Sequence, residues 1–302
     1  MHRRTFFAAA AAALAQEPAP DWGGPVLDIH LHPKAVPDGE WTHMAGCGVT
    51  HAVILGRVTT QDEVQARIAK HPGRMKQFVS TNVAPPAAGA IAQLRNAAGR
   101  GAKGFGEMKS QVDVDGPEMR AVFDLATELG VPVLMHFQEV TQPGSPGTFN
   151  MGLARLPAIL KAYPKTTFIG HADFFWANIS ADVPRDNGYP TGPVKPGGLT
   201  DRLLAEHPNL YGDLSANSGR NALARDPDFS AKFLERHKSK LMFGCDCSCT
   251  DGRGAGQRSN QPLIAGKCVA RETLTALRKL ASPATFRRIA WENGAKLLGF
   301  TA

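Results

Sequence analysis

Short apolar runs recur along the chain, and glycine, proline or polar residues typical of turns separate them. The runs predict eight strands, at residues 25–32, 50–57, 76–83, 102–108, 131–137, 166–172, 209–215 and 241–247. Between most of them, apolar residues recur with helical spacing. These helical segments are residues 61–70, 87–99, 117–129, 151–162, 199–206, 227–237 and 270–280. Eight alternations of strand and helix predict an α/β fold, a single (β/α)8 barrel.

The connections before and after these strands differ in length. Several helices end in "AKHPGR", "KAYPKT" or "AEHPNL", where a proline stops the helix shortly before the next strand. The connections after strands are longer, at residues 138–150, 174–198 and 248–267. In a barrel these loops form the catalytic face. A linker between two domains near residues 180–198 is the alternative, but the strands continue across it, which favours one domain over residues 16–302.

The first residues, "MHRRTFFAAAAAALAQEP", have the order of an export signal: a basic start, an apolar run and a small-residue cleavage site. Arg3 and Arg4 resemble the twin-arginine motif of bacterial export. The run is too short to span a bilayer, and prolines follow it at once. We therefore expect a signal peptide over residues 1–15 and a periplasmic or secreted protein. An alanine-rich first helix of the domain is the alternative.

Composition and charge narrow the classes of partner. The chain has 302 residues, of which 43% are hydrophobic and 20% charged, as in ordinary globular proteins. Without Arg3 and Arg4 the formal charge of +7 falls to +5, and the remaining cations are scattered. This argues against a nucleic-acid surface and favours a small-molecule substrate. The modest positive charge indicates at most a preference for anionic substrates. No membrane span is expected after the signal, and homo-oligomerisation stays open.

The chain has an odd number of cysteines, so a disulfide framework is not expected. One pair, Cys47 with Cys268, could oxidise after export. Cys247 and Cys249 lie on alternate positions, which rarely form an unstrained disulfide. Packing as small residues is the preferred interpretation for them, and binding of a soft metal ion is the alternative. The five cysteines are Cys47, Cys245, Cys247, Cys249 and Cys268.

Two familiar motifs do not apply. The segment "GRGAKG" at residues 99–104 has the glycine spacing of a dinucleotide-binding loop. However, it follows a helix and precedes a strand, which is the reverse of the required context. No serine lies in a nucleophile-elbow pattern, so a serine hydrolase has no support.

The ten histidines divide into two groups. Six lie in the signal, at helix ends or near the start of the second strand, where a structural role is expected; His43 is one of these. The other four lie towards the carboxyl ends of predicted strands, where barrel enzymes place their chemistry. Alternation along a strand predicts that His30 and His32 share a face with Asp28. The four strand-end histidines are His30, His32, His136 and His171.

Two acidic residues, Glu107 and Asp246, occupy comparable strand-end positions. Six imidazoles and carboxylates gathered at one barrel mouth would be costly to bury without a ligand. A divalent metal ion accounts for them, with zinc as the expected ion. Zinc held by histidine and carboxylate lowers the pKa of a bound water to about 7. Asp246 can then act as the base.

The pattern resembles the amidohydrolase superfamily, and within it the amidohydrolase-related (family 2) barrel hydrolases. The resemblance covers nearly all of the predicted domain, from "DIHLHP" through "GFGEMK", "LMHFQ", "FIGHAD" and "FGCDCS" to "ENGAKLLGF". It implies that the first-strand histidines, His136 and Asp246 hold the metal and that Asp246 is also a base.

The resemblance leaves the number of metal ions open. Glu107 stands where two-metal members have a bridging glutamate or carbamylated lysine. A binuclear site would hold one ion on His30, His32 and Asp246 and a second on His136 and His171, with Glu107 as the bridge. A single-metal site would leave His171 to orient the water, a catalytic role like that of Asp246. The presence of Glu107 favours two ions.

These residues predict a metal-dependent hydrolase that cleaves an amide, ester, lactone or related bond in a small molecule. A non-oxidative decarboxylase of an aromatic or unsaturated acid is the first alternative, and a non-catalytic periplasmic metal-binding protein is the second.

Asp28 and Asp173 could orient ligand histidines or serve as buried structural groups. The candidate substrate-binding cations are Lys109, Arg220 and Arg253.

Overall fold

The computed structural model describes residues 18–141, 146–184, 186–257 and 264–302. The expected signal peptide at residues 1–15 lies outside the described residues. The strands are β1 Leu27–Leu31, β2 His51–Arg57, β3 Met75–Ser80, β4 Phe105–Met108, β5 Val133–His136, β6 Phe168–His171, β7 Leu210–Asp213 and β8 Leu241–Met242.

The helices are α1 Gly39–Cys47, α2 Gln61–Ile68, α3 Ala88–Gly99, α4 Pro117–Leu129, α5 Leu156–Ala162, α6 Asp173–Ala177, α7 Leu199–Glu206, α8 Ala216–Ala224, α9 Pro227–Arg236, α10 Val269–Leu280, α11 Pro283–Arg287 and α12 Asn293–Leu298. Of these, α1, α6 and α8 lie in connections after strands and were not predicted. Among the described residues, no helix is long and apolar enough to cross a bilayer.

All eight strands belong to one parallel sheet whose spatial order follows the chain, from β1 to β8. The backbone N–H of Ile29 donates to the carbonyl oxygen of Phe243 at 3.1 Å, which brings the first strand beside the segment that follows the last. The sheet thus curls into a nearly closed barrel with helices around it. The predicted (β/α)8 fold is confirmed.

The buried apolar residues form two clusters. The larger one packs helices such as α4 and α10 against the outward faces of the strands. The smaller one joins inward-facing side chains to the carboxyl end of the chain, around α12. That helix fills the barrel at the end opposite the catalytic face, so the polar strand ends open to solvent on one side only. The smaller cluster contains Leu27, Ile29, Val53, Leu55, Phe78, Leu134, Ile169, Met242, Ala295, Leu298 and Phe300.

Strand β1 contains an irregularity that the sequence did not predict. Its register against β2 shifts between Asp28 and Leu31. As a result, Asp28 groups with His43 and Cys245 and not with the two strand-end histidines. The expectation that Asp28 shares their face is therefore wrong, because a register shift interrupts the two-residue alternation of the strand.

Strand β8 is shorter than the predicted segment 241–247. After Met242 the backbone leaves the ladder, and Asp246 N–H donates to the carbonyl oxygen of His30 at 2.8 Å. Asp246 itself has a left-handed backbone (φ 47°), a conformation that aspartate tolerates better than most residues. This turn places the Asp246 side chain over the mouth of the barrel, next to β1.

Candidate metal centre

The six residues expected to hold a metal converge at the barrel mouth; we call them the central cluster. The ring of His30 lies with its centroid 4.3 Å from that of His171 and 5.2 Å from that of His32. The rings of His136 and His171 are 5.4 Å apart. Four different strands and the segment after β8 therefore bring these groups together. The central cluster consists of His30, His32, Glu107, His136, His171 and Asp246.

His30 is the innermost member of the central cluster and is fully buried. Its Nδ1 contacts Oδ2 of Asp213 at 2.6 Å. Its Nε2 has no hydrogen-bond partner in the described part of the chain. Oδ1 of Asp246 is 3.9 Å from that Nε2. A buried imidazole nitrogen without a partner is costly, and once this nitrogen is deprotonated it offers its lone pair to a metal ion.

The electrostatic field at His30 favours a cation. Burial alone lowers the pKa of this imidazole, but the charges of Asp213 and Asp246, assisted by Glu107, outweigh burial and raise it to about 10. The same His30 charge helps to hold the pKa of Asp213 well below its usual range, against the opposing effect of burial. Three carboxylates around buried imidazoles therefore create a site that attracts positive charge.

Glu107 lies at the centre of the cluster, on β4. Its Oε1 is 2.5 Å from Nδ1 of His136 and 3.5 Å from Nε2 of His171, and its Oε2 is 3.4 Å from Nε2 of His32. Burial raises the pKa of Glu107, but the neighbouring histidines, His136 first, bring it well below its usual range. Glu107 is therefore an anion that contacts histidines from three strands.

His136 and His171 differ in how their ring nitrogens are used. Both nitrogens of His136 are paired, Nδ1 with Glu107 and Nε2 with Oε1 of Gln138 at 3.1 Å. His171 pairs its Nδ1 with the hydroxyl of Ser215 at 2.8 Å. Burial lowers the pKa of His171, which keeps its imidazole neutral and able to act as a ligand.

His32 and Asp246 form the solvent-facing side of the cluster. His32 Nε2 lies 3.5 Å from Oδ1 of Asp246, and the two side chains are 41% and 32% exposed. The Nδ1 of His32 contacts the carbonyl oxygen of Leu55 at 3.2 Å, which fixes the ring. A molecule entering the barrel mouth therefore meets these two side chains first.

Two residues that position the cluster, Asp213 and Ser215, were missed by the sequence analysis. Asp213 ends β7, and its Oδ2 contacts His30, His171 at 3.3 Å and the Ser215 hydroxyl at 2.8 Å. Such a carboxylate orients ligand histidines and fixes their tautomers. The signal that could have found it is its position in "YGDLS", at the same strand end as the other acids.

A cavity of about 410 Å³ adjoins the cluster beside β2, β3 and β4. Of the three cations proposed from the sequence, only Lys109 lines it, and its Nζ lies 4.8 Å from the centroid of the Phe149 ring. Arg220 instead pairs with Glu272 at 3.2 Å, and Arg253 contacts the backbone of Asp251. The lining residues are His32, Leu55, Arg57, Ser80, Thr81, Asn82, Glu107, Lys109, Gln111 and Phe149.

Arg57, at the end of β2, is a second cation of this cavity and was not singled out from the sequence. His32 and Glu107 belong both to the cavity wall and to the central cluster. The cavity therefore connects two cations with the candidate metal ligands, so a small molecule held there would reach both.

The long loop after β6 contributes Tyr189 to the same region. Burial, together with the negative charges of Asp173 and then Asp246, raises the pKa of Tyr189 far above its usual range. Asp173 lies in the first turn of α6. The carbonyl oxygen of Pro190, next to Tyr189, accepts a hydrogen bond from Asn221 of α8, which joins the loop to the connection after β7.

The donor set fits a divalent metal ion. Imidazole and carboxylate are the ligands that zinc and similar ions prefer. Two groups have ligand atoms within 4.8 Å of one another: His30, His32 and Asp246, and His30, Glu107 and His171. Both groups use the same nitrogen, Nε2 of His30, because Nδ1 is paired with Asp213. The two groups share this nitrogen, and the two-ion division expected from the sequence stays a prediction.

Comparison with known proteins agrees with this architecture. A family model described as amidohydrolase matches residues 32–300. A search of curated proteins gives no match. Among solved structures, the chain is similar to a probable 2-pyrone-4,6-dicarboxylic acid hydrolase from Acinetobacter baumannii with citric acid bound. The TM-score is 0.59 at 13% identity, over 92% of this chain and 100% of that chain.

Two further structures share the fold. Dihydroorotase from Campylobacter jejuni matches with a TM-score of 0.54 and 14% identity, over 92% of this chain and 84% of that chain. The 5-carboxyvanillate decarboxylase from Sphingomonas paucimobilis matches with a TM-score of 0.55 and 12% identity, over 92% and 99%. At these identities the structures show the fold alone. The family model covers most of the sequence, and the chain therefore belongs to the amidohydrolase family.

Proposed function

We propose that the protein is a metal-dependent hydrolase that cleaves an ester, lactone or amide bond in a small anionic molecule. The observation that carries this proposal is the buried Nε2 of His30, which has no hydrogen-bond partner among the described residues, while His30 belongs to two groups of metal-ligand residues. The cavity beside it supplies room for a substrate.

His30, His32 and Asp246 would hold the ion, with Glu107 beside them. When bound, a divalent ion of this kind polarises a carbonyl group and makes water acidic enough to react near neutral pH. Asp213 holds the His30 ring in place through Nδ1, so that Nε2 points into the cluster.

Asp246 is the proposed base. Its side chain is partly exposed and lies beside the opening of the cavity, which makes it accessible to water and substrate. One carboxylate oxygen accepts a proton from the attacking water while the water oxygen bonds to the carbonyl carbon. When the carbon–oxygen or carbon–nitrogen bond breaks, Asp246 returns that proton to the leaving group. The carboxylate is then regenerated.

Arg57 and Lys109 are proposed to bind a carboxylate of the substrate. Both line the cavity, which also offers the hydroxyl and amide groups of Ser80, Thr81 and Asn82. Guanidinium and ammonium groups bind carboxylates through charge-assisted hydrogen bonds. The similar Acinetobacter baumannii structure contains citric acid, a tricarboxylate, which agrees with an anionic substrate class.

The function is tested by screening metal-loaded protein against carboxylate-bearing lactones, esters and amides. The rate on each compound is compared with the rate on its uncharged methyl ester. We expect hydrolysis of a carboxylate-bearing compound, loss of that activity with a chelator, and recovery when a divalent ion is returned. Aromatic acids are included, with carbon dioxide release as the readout for decarboxylation.

Two results of the screen would contradict the proposal. Release of carbon dioxide from an aromatic acid without hydrolysis of any other compound would make the protein a decarboxylase. Tight metal binding with no turnover on the whole panel would make it a metal-binding protein.

Replacing Arg57 or Lys109 with methionine is expected to raise KM about 10- to 100-fold, because each change removes one charged contact to the substrate. We expect kcat to change little, since neither cation lies among the metal-ligand groups. The matched control is Arg95→Met, which removes an exposed cation paired with Glu128 on the outer helices. An unchanged KM in both cavity variants would show that the substrate binds elsewhere.

A further inference from the structure

A second cluster of metal-ligand groups is buried outside the central cluster. Its four ligand atoms lie within 4.8 Å of one another, and all four residues are buried. The chain contributes them from three separate segments: helix α1, the segment after β8, and the residue before α10. We call it the cysteine cluster. It consists of His43, Cys247, Cys249 and Cys268.

We propose that the cysteine cluster binds one zinc ion and thereby fastens the segment that carries Asp246 to helices α1 and α10. This site is separate from the central cluster and does not depend on the proposed hydrolase activity. Three sulfurs and one imidazole nitrogen form a ligand set that is characteristic of structural zinc sites.

The distances within the cysteine cluster fit tetrahedral coordination. Sγ of Cys247 lies 3.1 Å from Sγ of Cys249 and 4.0 Å from Sγ of Cys268. Nδ1 of His43 is 3.4 Å from Sγ of Cys249. Zinc–sulfur bonds of about 2.3 Å in a tetrahedron separate the ligand atoms by about 3.8 Å. The observed separations lie on either side of this value, and the sulfurs are too far apart for a disulfide.

His43 is buried, and contacts hold its ring on both sides. Its Nδ1 lies 3.1 Å from the carbonyl oxygen of Cys249, in addition to its contact with Sγ of that residue. While Nδ1 faces the cysteines, Nε2 lies 3.7 Å from Sγ of Cys245, in a group that also contains Asp28. Contacts at both ring nitrogens fix the orientation of this imidazole.

The surroundings also balance the charge of the proposed site. Three thiolates with one zinc ion carry a net charge of −1. The ammonium of Lys34, a buried residue, donates to the carbonyl oxygen of Cys247. The backbone N–H of Val269 donates to Sγ of Cys247 at 3.3 Å. A buried cation and an N–H donor stabilise thiolate sulfur away from water.

Asp28 joins the backbone of the central cluster to Cys245, two residues before Cys247 of the cysteine cluster. Its Oδ1 accepts the backbone N–H groups of His30 and Cys245, each at 2.9 Å. The backbone of a central ligand and the backbone that leads to Asp246 therefore share one buried carboxylate. This contact explains how an ion in the cysteine cluster would keep Asp246 in position.

X-ray absorption at the zinc edge tests the site directly. We expect about three sulfur neighbours at about 2.3 Å in the wild-type protein, because the cysteine cluster offers three thiolates. Among the described residues, the other candidate group with a thiol, Asp28, His43 and Cys245, offers only one sulfur. The central cluster supplies only nitrogen and oxygen, so a His32→Ala variant should keep the sulfur signal. This readout does not use enzymatic activity, and its failure is therefore separate from failure of the proposed function.

Metal analysis of cysteine variants provides the second test. Cys249→Ala and Cys268→Ala are each expected to lose one zinc per chain and to unfold at a lower temperature. The matched control is Cys47→Ala, which removes a buried thiol of α1 that contacts Cys268 but is not one of the four ligand groups. It should keep its zinc.

Three results would overturn the proposal. The first is the absence of sulfur neighbours around zinc in wild-type protein. The second is an unchanged zinc content in folded Cys249→Ala. The third is a count of three free thiols, not five, in denatured protein that has not been reduced, because a disulfide would then occupy the cluster. The first and third use wild-type protein and decide the matter even if the variants do not fold.

Discussion

The Asp246→Asn variant is expected to lose about 10³-fold in kcat on whichever substrate the screen identifies. Asparagine has nearly the same shape but cannot accept the proton of the attacking water. Its amide oxygen is also a weaker metal ligand than a carboxylate oxygen. The measurement is the steady-state rate of metal-loaded protein, with circular dichroism to show that the barrel is intact.

The matched control for Asp246 is Asp228→Asn, an exposed aspartate in the first turn of α9. It carries the same chemical change far from the barrel mouth and should keep the wild-type rate. If Asp246→Asn retains more than about a tenth of wild-type kcat, general base catalysis by this residue is wrong, because the expected range begins near 10²-fold.

The Asp213→Asn variant is expected to weaken metal binding by the central cluster about 10- to 100-fold. Asp213 is fully buried, and its Oδ2 contacts His30, His171 and the hydroxyl of Ser215. An amide can accept from one imidazole but carries no charge, so the His30 ring loses part of its orientation and basicity. Competition for the metal with a chromophoric chelator measures the change.

Asp201→Asn is a control for Asp213, because it alters another aspartate–histidine pair, in which His237 is buried and Asp201 is partly buried and also pairs with Arg236. Oδ1 of Asp201 lies 2.6 Å from Nε2 of His237, between α7 and α9. Both variants are expected to lose about 1–3 kcal/mol of stability. Only Asp213→Asn should lose metal affinity. Equal affinities in the two variants would show that Asp213 has a purely structural role.

Local sequence patterns were sufficient to predict the barrel. Helix α4 at Pro117–Leu129 and helix α7 at Leu199–Glu206 have the predicted bounds. The strands appear in the predicted order, although most are shorter than their apolar runs. Apolar periodicity reports which side of an element is buried, and this information is local. The connecting helices α1, α6 and α8 escaped prediction because their short segments lack a long apolar repeat.

The candidate site was predicted in part, and the misses have physical causes. His30, Glu107, His136 and Asp246 converge because parallel strands end at the same face of a barrel. Arg220 does not line the cavity and instead pairs with Glu272, a residue far along the chain that no local pattern connects with it.

The sequence by itself determined the order and type of the main elements and the placing of histidines and acids at strand ends. The tertiary structure decided which of these groups touch. The shift in β1 turned Asp28 towards His43, and closure of the barrel brought Asp213 to His30 across 183 positions of sequence. Side-chain periodicity depends on neighbours along the chain. The geometry of the ligand groups depends on strand register and on contacts between distant segments, and these contacts exist only once the barrel has closed.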